Sequence, residues 1–159
     1  MSVLVLGLGN ILLSDEGVGV RVVEALQARY RIPDGVEVID GGTSGMDMLD
    51  LIAHRDHLIV IDAVTTGAPP TSVIRLHGEA VPAFFQAKIS PHQLGLSDVL
   101  AALRLLESEP AGITLIGIVP AALHLGLELS PAIAEKLDDL VDTVRAELAT
   151  LGFDLTANN

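Results

Sequence analysis

Two uninterrupted aliphatic runs, Val3-Leu4-Val5-Leu6 and Leu58-Ile59-Val60-Ile61, constrain this chain more than any other feature. A strand with one wet face must alternate polar with apolar residues. These runs do not alternate, which fits strands covered on both faces. The period then changes: Val18, Val22, Val23 and Leu26 recur at helical spacing after Gly17, with Ser14 or Asp15 as the expected cap. Residues 36–39 follow the turn Pro33-Asp34-Gly35 as a second strand, and a short helix is expected around 46–53. Residues 73–76 read as a shorter, less buried strand, and residues 113–119 as a fifth. Val99, Leu100, Leu103 and Leu106 mark a helix beginning after Ser90-Pro91. A last helix is expected to start at Ser130-Pro131 and run on through Ile133, Leu137, Leu140, Val141 and Val144. Strands alternating with helices predict a single α/β domain over residues 1–159, with a mostly parallel five-stranded twisted sheet and helices on both faces.

Composition narrows the function classes. Half of the 159 residues are hydrophobic, which excludes a disordered chain. Nine Lys and Arg against 21 Asp and Glu leave a formal charge of −12, the wrong sign for nucleic acid or an anionic membrane surface. With no cysteine there is no disulfide, thiolate metal site or cysteine nucleophile. Residues 1–13 lack the basic flank and cleavage site of a signal peptide, and residues 113–127 are too short and too broken to span a bilayer. A cytoplasmic protein without membrane insertion is expected.

In open α/β sheets the binding crevice lies beyond the carboxyl ends of the strands. Three segments here follow such ends: 7–16, 40–45 and 62–67. If their strands are parallel, one sheet edge collects Asp15, Glu16, Asp40 and Asp62. Acidic groups that converge either raise one another's pKa or attract a metal, whereas some of them could serve only as helix caps. Asp62 ends a strongly apolar strand, a costly place for a carboxylate without a task.

Competing chemistries lack their parts. A dinucleotide fingerprint starting at Gly7-Leu8-Gly9 needs a third glycine where Leu12 stands, and no basic residue precedes Arg21. Gly42-Thr43-Ser44-Gly45 has Met46 in place of the closing glycine of a nucleophile elbow. His54 and His57 have a spacing that could hold zinc on one helix face, but they flank Arg55 and Asp56 in what reads as a solvated loop. His77, in a polar strand-end setting, and His124, after Pro120, read as ordinary residues with no nearby carboxylate partner expected. His92 lies in the polar break Ser90-Pro91-His92-Gln93 before a helix and by itself reads as an ordinary surface residue.

Taken together, several long motifs in fixed order carry a resemblance. They are Gly7-Leu8-Gly9-Asn10-Ile11-Leu12-Leu13 with Asp15-Glu16-Gly17 and Gly19, then Asp40-Gly41-Gly42-Thr43, then Ile61-Asp62-Ala63, and finally Lys88-Ile89-Ser90-Pro91-His92-Gln93-Leu94-Gly95-Leu96. From Val3 to about Val144 the sequence resembles the hydrogenase maturation endopeptidases, above all the branch serving uptake hydrogenases. The resemblance implies an endopeptidase that removes a C-terminal extension from the large-subunit precursor of a nickel–iron hydrogenase after nickel has been inserted.

Matched position by position, the family's metal-binding residues fall on Glu16, Asp62 and His92. Two carboxylates and an imidazole suit nickel, or another borderline divalent ion such as zinc, with coordination positions left open. The nickel would be that of the precursor. Asp40, in the family's signature loop, could orient substrate or help move protons. Two other readings use the same residues: a nickel metallochaperone that cuts nothing, and a nucleotide-binding module built on the Gly7–Gly9 turn.

Overall fold

The computed structural model describes residues 1–43, 45–86 and 91–158, excluding the side chains of Met46 and of residues 91–94. Ser44 and residues 87–90, including the Lys88-Ile89-Ser90 part of the last motif, lie outside the described residues, as does the His92 side chain. Five strands form the main sheet: β1 (Val3–Leu8), β3 (Val36–Gly42), β4 (His57–Ala63), β5 (Val73–His77) and β6 (Gly112–Ile118). Their order is β3-β1-β4-β6-β5. All neighbours are parallel except β5, which runs antiparallel along β6. The expected mostly parallel sheet is therefore present. At the outer edge, β5 alternates between exposed and half-buried residues, as a one-faced strand must.

Alternation of side chains sends each strand into two cores. Val3 and Val5 of β1 and Ile59 and Ile61 of β4 pack beneath α1 (Val18–Arg29) and α6 (Leu137–Thr150). Leu4 and Leu6, with Leu58 and Val60, pack on the opposite face. That face is covered by α2 (Leu49–Ile52), α3 (Ala80–Gln86) and α4 (Pro91–Leu105). Each fully buried aliphatic side chain contributes roughly 1.5–3 kcal/mol, so the unbroken runs stabilise both layers at once.

Three local expectations are corrected. The last helix is two: Ser130 caps α5 (Pro131–Ala134), but the Lys136 N–H goes to the Ile133 carbonyl, tightening the turn before α6 starts afresh. Helix α1 takes Gly17 as its N-cap with no side-chain hydrogen bond, because Ser14 and Asp15 sit in a 3-10 turn (Ser14–Gly17) and bond elsewhere. His57 begins β4 rather than lying in a loop, while His54 is in an exposed turn, as expected. Two elements too short to leave a periodic pattern also form. Strand β2 (Tyr30–Arg31) pairs with β7 (Thr156–Ala157), tying the tail to the end of α1.

Helix α1 meets the strand ends through glycine. A Cβ on Gly19 would lie 2.2 Å from the Ile61 carbonyl oxygen and 2.4 Å from that of Leu8. Backbone on both sides cannot yield as a flexible side chain would. Gly19→Ala is expected to cost at least about 2 kcal/mol, read as a lower denaturation midpoint at unchanged slope. A variant of wild-type stability would mean that α1 can move off the sheet without penalty.

Candidate active site at the strand ends

Because β3, β1 and β4 are parallel and adjacent, their carboxyl ends open on one edge of the sheet. Glu16 reaches that edge in the 3-10 turn after β1 and is half-buried. Its backbone rests on Gly9, which has φ +129°; a Cβ there would come within 1.9 Å of the Glu16 carbonyl oxygen. The glycine turn is thus filled by the chain itself, which removes the room a phosphate would need and weighs against a nucleotide module.

Asp62 is the next residue to last of β4 and wholly buried. It continues the row of Leu58 and Val60, so it belongs to the face covered by α4. Helix α4 begins at Pro91 and places the His92 backbone in its first turn. One turn on, a Cβ at Gly95 would lie 3.3 Å from the Gly45 Cα, so the start of α4 abuts the loop after β3. The start of α4 and the loop after β3 therefore meet at one corner, on the sheet face to which Asp62 belongs. Among the described residues no three His, Asp or Glu form a cluster able to hold an ion; His92, the expected third ligand, has its side chain outside them.

Asp40 is exposed near the end of the edge strand β3. Its Oδ1 accepts the Gly42 N–H at 2.8 Å, and the Gly42 carbonyl accepts the Gly9 N–H at 2.9 Å. The carboxylate shapes the irregular register between Gly7–Asp40 and Leu8–Gly42, where Gly41 has no partner on β1. Asp15 turns instead into the loop after β6. It is fully buried and accepts four hydrogen bonds, from the N–H groups of Ala121, Ala122 and Ser130 and from the Ser130 hydroxyl, all at 2.8–2.9 Å. Of the four carboxylates expected at the edge, Asp15 is committed to holding a loop.

A second polar group escaped the sequence reading. At the opposite edge, Glu147 of α6 is nearly buried and accepts from Arg75 Nε at 2.5 Å, with the His77 ring nitrogen 2.9 Å from the same oxygen. His77 thus has a carboxylate partner, 70 residues away in sequence. Thr114 bridges Glu147 to His57. The available signal was a carboxylate on the apolar stripe of α6, between Val144 and Leu148.

Burial holds the His57 imidazole below its usual range; Glu147 works against this and His77 adds to it. Burial also acts to raise Glu147, but hydrogen bonds from His77 and Arg75 outweigh it and hold the carboxyl below its ordinary 4.5. A depressed carboxyl stabilises the fold above its unfolded pKa and loses that contribution as pH falls through the folded value. Glu147→Gln should therefore lower the melting temperature at pH 7, with the deficit shrinking below about pH 4.5. A deficit independent of pH would assign the loss to packing.

A parallel α/β sheet with carboxylates and the start of a histidine-bearing helix at its strand ends belongs to the class of folds that bind their ligands at such edges. The comparisons identify the class member. The family model described as hydrogenase maturation protease (HycI) matches residues 20–147. The hydrogenase 2 maturation protease of Escherichia coli K12 is 49% identical over 97% of this chain and 94% of its own length. The hydrogenase expression/formation protein HupD of Rhodobacter capsulatus is 40% identical over 97% of this chain and 74% of its own. Among solved structures, the hydrogenase maturating endopeptidase HybD from E. coli superposes with a TM-score of 0.96 at 47% identity, covering 99% of this chain and 98% of that one. This chain belongs to the hydrogenase maturation protease family and is a peptidase. No helix among the described residues is long and apolar enough to cross a membrane.

Proposed function

We propose that this protease acts in the cytoplasm on the large-subunit precursor of a nickel–iron hydrogenase and removes a C-terminal extension once nickel is in place. Glu16, Asp62 and His92 engage the nickel of the precursor. The observation that supports this reading is that the buried Asp62 lies on the face covered by α4, and that the first turn of α4, which carries the His92 backbone, meets the loop after β3. Three donors without a thiolate leave coordination positions open, and cysteine sulfurs of the precursor already holding nickel would fill them. Another divalent ion, zinc for example, suits the same donors in vitro. Cleavage then depends on correct loading, because the recognised group is the metal itself.

The test is to incubate the protein with nickel-loaded precursor and weigh the products. A precursor shortened at its C-terminus supports the reading. Nickel delivered to an unshortened acceptor would favour the metallochaperone instead.

Asp40 has the role of orienting substrate or moving protons. Asn at this position keeps an oxygen for the Gly42 N–H, so Asp40→Asn isolates the charge from the loop geometry. Its cleavage rate should fall about a hundredfold, while its nickel affinity stays near that of the parent. Parallel loss of both would make Asp40 a ligand or a structural cap.

A further inference from the structure

Next to the Glu16 turn, the protein holds a rigid apolar ledge in the open. Leu12 is 55% exposed, Leu123 52%, Leu125 81% and Leu127 60%. Two loops carry them, and the backbone stitches these together: the Gly126 N–H donates to the Leu12 carbonyl and the Ser14 N–H to the Gly126 carbonyl, each at 2.9 Å. The Ser14 hydroxyl donates to the His124 carbonyl at 2.7 Å. Beneath them, the buried Asp15 carboxylate clamps Ala121, Ala122 and Ser130. A buried charge is thus committed to fixing a loop whose leucines point outward, the reverse of what core formation requires. Exposed apolar side chains gathered on two hydrogen-bonded loops mark a place where something docks.

We propose that Leu12, Leu123, Leu125 and Leu127 form the surface on which the folded body of the precursor protein docks, bringing its C-terminal end to the Glu16 edge. This rests on the precursor reading above and assigns it a contact surface. Charge selects the occupant. Residues 11–14 and 119–127 contain no acidic or basic side chain apart from His124, on a chain of net charge −12. A second copy would bring two such charges together, and an anionic membrane would be repelled in the same way. A protein partner with an apolar face meets neither obstacle. The ledge also continues along the chain into Glu16 through the 3-10 turn, so a body seated there lies beside the cutting edge.

The experiment measures processing kinetics of nickel-loaded precursor by a chain carrying Leu123→Ser, Leu125→Ser and Leu127→Ser together, and separately by Leu12→Ser on the other loop. All four side chains are exposed, so folding should be retained. The triple variant should raise KM about tenfold or more with kcat within about twofold, and Leu12→Ser should move KM in the same direction. Compared within an Asp62→Asn background, which blocks cutting and removes the same nickel contact from both chains, the triple variant should bind the precursor more weakly by a similar factor. Unchanged KM and unchanged binding in both variants would overturn the docking surface. A parent dimer that the triple variant converts to monomer, with KM unmoved, would overturn it in favour of self-association. Failure of the parent chain to shorten the nickel-loaded precursor would instead overturn the precursor reading beneath it, which keeps the two failures apart.

Discussion

Asp62→Asn and His92→Ala should each reduce processing by at least about a hundredfold while leaving the protein folded. Asp62 is wholly buried on the face of Leu58 and Val60, and Asn has nearly the same volume, so packing there is retained while the charge is lost. His92 lies in the first turn of α4, ahead of the core residues Leu96, Val99 and Leu103 that anchor the helix. On the proposed reading, truncating it removes a ligand and leaves those core residues unchanged. The measurement is the ratio of long to short precursor by mass, beside thermal unfolding of each variant. Full processing by a well-folded His92→Ala chain would remove the imidazole from the site. Loss of processing with loss of folding in Asp62→Asn would make that carboxylate structural.

What the sequence announced depended on how local the cause was. Val3 to Leu6 and Leu58 to Ile61 read as doubly covered strands because covering both faces leaves a continuous apolar run, and both are fully buried. Once those strands are parallel, Glu16, Asp40 and Asp62 must come to one edge, so the corner followed from topology. The role of Asp15 was not legible, because its partners lie 106–115 residues away in a loop with no regular pattern. Glu147 escaped for the same reason: its partners Arg75 and His77 sit on a strand that only the antiparallel return of β5 brings under α6. The break between α5 and α6 left no sign either, since Glu135 and Lys136 are acceptable helix residues and only the tightened hydrogen bond to Ile133 interrupts the run. The motif residues Gly9 and Gly19 were legible as glycines. Their reason, the Glu16 carbonyl against one and the Ile61 and Leu8 carbonyls against the other, needed the packed structure.

The central claim is that the metal read by this protease arrives with the substrate. Both faces of the sheet are packed with aliphatic side chains, so the fold is expected to need no ion for its stability, in contrast to small domains folded by zinc. Metal-stripped protein should keep its melting temperature. The deciding measurement crosses stripped and nickel-supplied enzyme with nickel-loaded and nickel-free precursor, following cleavage by mass. Stripped enzyme should cleave the loaded precursor at close to the full rate, and the nickel-free precursor should resist cleavage by either enzyme. Equal cleavage of both precursors, or an absolute need for metal on the enzyme beforehand, would contradict the claim and make this an ordinary metalloprotease.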